Sequence, residues 1–445
     1  MLLIMDSNLP QTLQQRRQKL AQQIDFPVIL WSGGASPRNF AANRYPFRAS
    51  SHFLYFAGLQ LENAAIRLHQ GRMDLFINPP KEGSVLWHGE TPQPQEIAEA
   101  IGADNVYPMN ELILHTTEAA TIPVQDAKTY QKQMLMLDRI LPPAHQPSGI
   151  DLELTKAIVD LRLCHDALAL GELRQAAAVT MKAHQVGKNA VTHAQTEAEV
   201  RAAMEAVFIA HQMTCAYTSI VTVQGEILHN DHYHHPLRSG DLVLIDVGAE
   251  TARGWAGDVT RTWAVSGQFS PTQQAIYDVV LAAHDACILA VAPGVEYQDI
   301  HLLGSQTLAQ GLIDLGILKG KPEDLVAQDA HALFFPHGIG HLLGLDVHDM
   351  EDLGDLAGYA PGRNRSDRFG LKFLRLHRPL QAGMVVTIEP GFYQVPGILN
   401  HAATREKYQG IVDWDCLAKF KDVRGIRIED DVLVTADGQE VLTEV

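Results

Sequence analysis

The chain has 445 residues, 46% of them hydrophobic and 20% charged, and 52 acidic against 35 basic side chains give a formal net charge of -17. That length exceeds what one hydrophobic core usually organises and predicts two domains. The acidic balance excludes nucleic acid or an anionic membrane as the main partner, since both need a basic footprint. The opening Met1-Leu-Leu-Ile-Met5 has no basic lead and is too short for a secretory leader, and no run of about 18 apolar residues could span a bilayer. The cysteines, Cys164, Cys215, Cys287 and Cys416, are far apart and form no CxxC pair. They read as buried thiols in a reducing compartment, which makes the cytoplasm the expected location.

In chain order, residues 11–24 predict a helix. Short apolar runs bounded by turn residues predict strands over 27–34, 53–58 and 65–79, and a further helix covers 96–101. This is an α/β pattern without a phosphate-binding glycine fingerprint; Trp31-Ser-Gly-Gly34 reads as a turn. Around residues 163–170 the pattern changes, and two long stretches with apolar residues at helical spacing follow, over 172–189 and 197–212. The expected domains are therefore 1–165 and 166–445, the second rich in histidine, glycine and strand-ending acids.

Four segments of the second domain carry chemistry. Leu242-Val-Leu-Ile-Asp246 and Gly254-Trp-Ala-Gly-Asp258 read as hairpin partners with a turn centred near Ala252, which would set Asp246 opposite Asp258 on one face. Two carboxylates that close repel unless a positive charge lies between them. In Phe335-Pro-His337-Gly-Ile-Gly-His341-Leu-Leu-Gly-Leu-Asp-Val-His348, three histidines sit in apolar surroundings, where an imidazole needs a hydrogen-bond or metal partner. Gly338 and Gly340 predict irregular backbone rather than helix. Met384-Val-Val-Thr-Ile-Glu389-Pro-Gly391 ends a β-rich run in an acid, and Gly425-Ile-Arg427-Ile-Glu429 sets Arg427 and Glu429 on one strand face. Taken singly, each acid reads equally well as a solvent-facing strand residue. Taken together, Asp246, Asp258, Glu389 and Glu429 supply four negative charges and His341 a neutral imidazole, enough for two divalent cations. Mostly oxygen ligands with one nitrogen suit Mn2+, with Co2+, Fe2+ or Zn2+ as alternatives.

The order and wording of these segments resemble the aminopeptidase P and prolidase family of pita-bread metallopeptidases, over the catalytic half from about residue 170 and more weakly over the N-terminal domain. The resemblance implies a two-domain α/β fold: an N-terminal α/β domain and a C-terminal pita-bread domain of α+β type with pseudo-twofold symmetry. It implies Asp246 as ligand of one metal, Asp258 and Glu429 as bridges, and His341 and Glu389 as ligands of the other. His229 and His348 match substrate-side histidines, Glu389 the general base, His337 the supporting histidine of the HGxGH motif, and Arg427 the arginine behind the bridging glutamate. The expected activity is cleavage of Xaa-Pro bonds in peptides, as an Xaa-Pro aminopeptidase or, alternatively, a prolidase restricted to dipeptides. A homodimer or dimer of dimers is the expected assembly, and a non-catalytic binding protein of the same fold is the remote alternative. The sequence departs from the family by one extra residue between its two aspartates, which a turn or bulge would absorb. A long insertion, residues 350–378, carries Arg375, which matches the prolidase arginine that holds a dipeptide carboxylate. In the loop His229-Asn-Asp-His-Tyr-His-His235, His232, His234 and His235 read as exposed loop residues.

Overall fold

A computed structural model of the chain describes residues 8–444; Met1-Leu-Leu-Ile-Met5 lies outside the described residues. Two compact units divide between Leu163 and Cys164, and Met350–Ala357 belongs to the first of them. That return of the chain was not foreseen from the sequence, where the whole of 350–378 reads as one insertion.

The first unit contains helix α1 (Leu9–Ala21), strand β1 (Val28–Trp31), helix α2 (Ser51–Ala57), strands β2 (Ala65–His69) and β3 (Arg72–Phe76), helix α3 (Pro94–Ile101), strand β4 (Asn105–Tyr107) and helix α4 (Ile150–Arg162). Its sheet runs β1-β2-β3-β4, antiparallel except for the β3–β4 pair. Ile29, Trp31, Ala65 and Phe76 build its core with Met109, Leu112 and Ala119. The strand expected over 53–58 is in fact α2. All seven of its residues are buried, so no alternation marks it, and a short continuous apolar run does not discriminate between strand and buried helix. Gly58, at φ 66°, ends the helix in the left-handed conformation that glycine adopts without a Cβ penalty. Met350–Ala357 joins this unit through Asp352, which lies 3.1 Å from His52 Nε2, while Arg162 lies 2.9 Å from His52 Nδ1.

The second unit opens with helices α5 (Ala167–Val191) and α6 (Glu197–Ala210), each begun by a side-chain cap, Asp166 and Thr196. Their apolar faces, with Val179, Ala183, Val200, Met204 and Phe208, form one core with Val243, Ile245 and Val247. Those three lie on strand β6 (Leu242–Val247), the centre of a sheet with β5 (Ile220–Thr222) and β7 (Val259–Ala264). Helices α7 (Pro271–Ala290) and α8 (Tyr297–Asp314) follow, then strands β8 (Val385–Ile388), β9 (Gly391–Tyr393), β10 (Gly425–Arg427), β11 (Asp430–Val434) and β12 (Gln439–Val441). β8, β11 and β12 form a second antiparallel sheet, and β9 pairs with β10. Two long antiparallel ladders thus each end in carboxylates.

Of the cysteines, Cys287 is buried, but Cys164, Cys215 and Cys416 are only partly so, contrary to the expectation of four buried thiols. Among the described residues, no helix is long and apolar enough to cross a membrane.

Candidate metal centre

The four acids come from two ladders. On the first, Asp246 faces Thr260, and Asp258 immediately precedes β7, so the pairing is two residues away from the expected one. The register stays unbroken to the bridge between Glu250 and Ala256, which centres the turn on Arg253 rather than Ala252 and leaves no bulge between the two aspartates. Asp246 and Asp258 are diagonal neighbours on one face, because residues two apart on a strand point the same way. On the second ladder Ile388 pairs with Asp430 and Gly391 with Arg427, so Glu389 falls directly across from Glu429. The facing pair expected for the aspartates is the arrangement of the glutamates.

These groups floor a cavity of about 700 Å³, which all ten residues singled out in the sequence line: His229, Asp246, Asp258, His337, His341, His348, Arg375, Glu389, Arg427 and Glu429. His341 Nε2 lies 3.4 Å from Asp258 Oδ2 and 3.6 Å from Glu389 Oε1. Donor atoms of Asp258, His341 and Glu429 all fall within 4.8 Å of one another. His341 Nδ1 is 3.1 Å from the Leu342 carbonyl, which can only accept, so Nδ1 carries the proton and Nε2 turns a lone pair toward the two carboxylates. A lone pair aimed at carboxylate oxygens is repulsive unless a cation or a proton lies between them, and a metal-binding histidine is oriented in this way.

Electrostatics point the same way. Burial, reinforced by Asp246, pushes the Asp258 carboxyl up to about 8. Burial, opposed by His341 and Arg427, pushes Glu389 up to about 7. Glu429 stands well above the usual carboxylate range, through burial and then Asp258. The Tyr217 hydroxyl lies 2.5 Å from both Asp246 Oδ1 and Asp258 Oδ1. Burial and those acids hold its phenol well above 10, so it keeps its proton. One phenol proton serves one acceptor, so the second contact needs a proton on a carboxyl. Four acids with this shortage of positive charge fit divalent ions, and Asp246, Asp258, His341, Glu389 and Glu429 are the residues that would hold them.

The surrounding residues fix the acids. Arg427 reaches Asp246 Oδ2 at 2.5 Å, Thr260 Oγ1 at 3.0 Å and Tyr393 Oη at 3.1 Å, and Thr260 Oγ1 donates to Glu429 at 2.6 Å. Arg427 therefore holds Asp246 directly and meets Glu429 through Thr260. His337 lies 2.8 Å from the Tyr393 hydroxyl and 3.7 Å from Glu389, and burial and Arg427 lower its pKa to about 3, keeping it neutral. Tyr217, Thr260 and Tyr393 escaped the sequence reading because a lone hydroxyl residue has no spacing signature. Of the loop histidines, His232 and His234 are exposed, but His235 is half-buried against Glu197, 2.9 Å away.

Gly340 explains the backbone between His337 and His341. A Cβ there would lie 2.1 Å from the Thr387 carbonyl and 2.3 Å from the Tyr297 hydroxyl, inside any permitted contact. The close approach lets Thr387 N donate to the His341 carbonyl at 3.0 Å and His341 N to Thr387 Oγ1 at 3.1 Å. His341 is thereby stapled to β8, two residues before Glu389. Gly340→Ala is expected to cost at least ~1–3 kcal/mol by overpacking and to weaken metal binding. Urea unfolding and a metal titration check it; wild-type values in both would refute the staple.

A buried constellation of acids and one imidazole at the ends of two strand ladders defines a metal-dependent hydrolase. The model of metallopeptidase family M24 matches residues 171–436, and that of the aminopeptidase P N-terminal domain matches residues 13–122. The chain belongs to metallopeptidase family M24. It is 32% identical over 418 residues to a probable Xaa-Pro aminopeptidase of Fusarium vanettenii, covering 89% of this chain and 84% of the relative. A probable Xaa-Pro aminopeptidase of Tuber melanosporum is 32% identical over 407 residues, covering 90% and 85%. Among solved structures, zinc-substituted Escherichia coli aminopeptidase P in complex with product superposes with a TM-score of 0.78 at 28% identity, over 98% of this chain and 94% of that one. Proline aminopeptidase P II from Yersinia pestis gives 0.77 at 29%, over 98% and 96%.

Proposed function

We propose that this protein is an Xaa-Pro aminopeptidase, hydrolysing the bond between an N-terminal residue and a following proline. The observation that carries the reading is the joint presence of the M24 constellation and an aminopeptidase P N-terminal domain, in a chain whose relatives named Xaa-Pro aminopeptidase match across both. The prolidase alternative is not favoured. We assign two domains that meet near residue 165, with segment 350–357 returning to the first, the compartment as the cytoplasm and the assembly as a homodimer or dimer of dimers.

Asp246, Asp258, His341, Glu389 and Glu429 would hold two divalent ions, Mn2+ by ligand chemistry, which would supply Lewis-acid polarisation of the scissile carbonyl and a more acidic water. Glu389 is the base that takes a proton from the attacking water, and its place in the cavity floor keeps it within the reaction space. His229 and His348 line the same cavity and donate hydrogen bonds to the developing oxyanion. Burial and Arg427 lower the His229 pKa, so the ring remains a neutral donor at physiological pH. The proline nitrogen leaves only once protonated, because an amide anion is a poor leaving group. An Xaa-Pro bond is a tertiary amide without N–H, so a wall of apolar side chains such as Ile220, Leu228 and Phe373 can accept the ring without leaving a donor unpaired.

The test is paired: an Xaa-Pro-Xaa tripeptide against an Xaa-Pro dipeptide with the manganese-loaded enzyme. Cleavage of the tripeptide with the dipeptide spared is expected, and cleavage of the dipeptide alone would overturn the reading. Arg375 sharpens this. It lines the cavity near enough to His229 to help lower that pKa. For an aminopeptidase, Arg375→Ala is expected to change tripeptide KM only a few-fold, whereas a carboxylate clamp would lose a charge-assisted bidentate bond and raise dipeptide KM sharply.

A further inference from the structure

We propose that His232 and His234, with Asp231, form a further divalent-metal site at the rim of the catalytic cavity, separate from the carboxylate cluster. The segment is pinned along one side. Tyr233 donates its hydroxyl to the Ser219 carbonyl at 2.5 Å and stacks under Arg201, whose guanidinium carbon is 4.2 Å from the ring centre. His235 is held by Glu197, which takes both its backbone N–H, at 3.1 Å, and its Nδ1, at 2.9 Å. The backbone carbonyls of Tyr233 and His235 accept from Ala198 N and Glu197 N. The ring of His234 packs on that of His235, centres 4.2 Å apart, and both His232 and His234 stay exposed.

The ring centres of this exposed pair are 6.3 Å apart. Asp231 Oδ1 lies 3.3 Å from His232 Nδ1 and adds a negative charge beside the pair. With the ring centres 6.3 Å apart, rotamer changes in the two exposed imidazoles bring both Nε2 atoms onto one ion at ~2.0–2.1 Å, while the pinned backbone limits the ordering cost. Two imidazoles, with a carboxylate on the Nδ1 side of His232 rather than among the ligands, select borderline ions such as Zn2+, Ni2+ or Cu2+ over Mn2+. Asp231 also lines the cavity, so a bound ion stands at its entrance.

The probe is Cu2+, added to the enzyme whose carboxylate cluster has been filled with EPR-silent Zn2+. One further equivalent is expected, with nitrogen hyperfine coupling from two imidazoles and no zinc released to a chromophoric chelator. His232→Ala/His234→Ala is expected to lose that equivalent and its coupling while keeping the wild-type circular dichroism spectrum and peptidase activity. His211→Ala, an exposed histidine elsewhere on the unit, is expected to retain both. The proposal is overturned if the double variant binds Cu2+ with unchanged stoichiometry and coupling. It is equally overturned if the only copper bound is matched by zinc displaced from the cluster.

Discussion

Asp258→Asn is expected to lower kcat by about 10²–10⁴-fold, the several kcal/mol that a metal contributes to transition-state charge stabilisation. Asp258 shares Tyr217 with Asp246, stands 3.4 Å from His341 and belongs to the triad with Glu429, so losing its charge unbalances every proposed ligand position. The exchange keeps shape and volume, so a folding defect does not account for the loss. The metal-free variant is expected to melt higher than the metal-free wild type, because it removes one of four clustered acids whose ionised forms repel. Calorimetry with and without metal, together with metal analysis, separates the two effects. A variant that keeps its metal and its activity would remove Asp258 from the ligand set.

The second large effect is the pH dependence of stability in the metal-free protein. Asp258 is raised to about 8 and Glu389 to about 7, with burial the main cause in each. Unfolded carboxyls titrate near ~4, so between about pH 4 and pH 8 the folded chain holds more protons than the unfolded one. Stability then falls as pH rises through that window, the opposite of the usual behaviour of salt-bridged acids. Bound divalent ions replace those protons, so the loaded protein is expected to show no such fall. Its metal affinity is expected to weaken as pH drops below about 7, since binding must release the protons. Melting temperatures of both forms across the window provide the measurement, and parallel curves would refute the account.

Much of the site was legible because strand-ending acids and the glycine-flanked histidines leave local marks. Leu242-Val-Leu-Ile-Asp246 is an apolar run that stops in a charge, and Met384-Val-Val-Thr-Ile-Glu389 does the same before Pro390. Neither mark states a register. The aspartates were expected face to face, yet Asp246 pairs with Thr260 while the glutamates face each other, because a turn of unknown type decides which residues meet. The helix over Ser51–Ala57 was missed for a related reason. Its residues are buried on every side, so the period that separates helix from strand is absent.

By itself the sequence determined the two-domain α/β class and the order of the acidic and histidine segments, since composition, periodicity and chemical type are local properties. His229 and Arg375 came only from the resemblance to a known family. Only the tertiary structure decided how these segments meet. Tyr217 bridges two aspartates from a segment without any motif, Thr260 carries the support of Arg427 to Glu429, and Gly340 lets His341 be stapled to β8. These are contacts between residues far apart in the chain, set by the close packing of two ladders. No local pattern encodes which hydroxyl will stand between two buried charges.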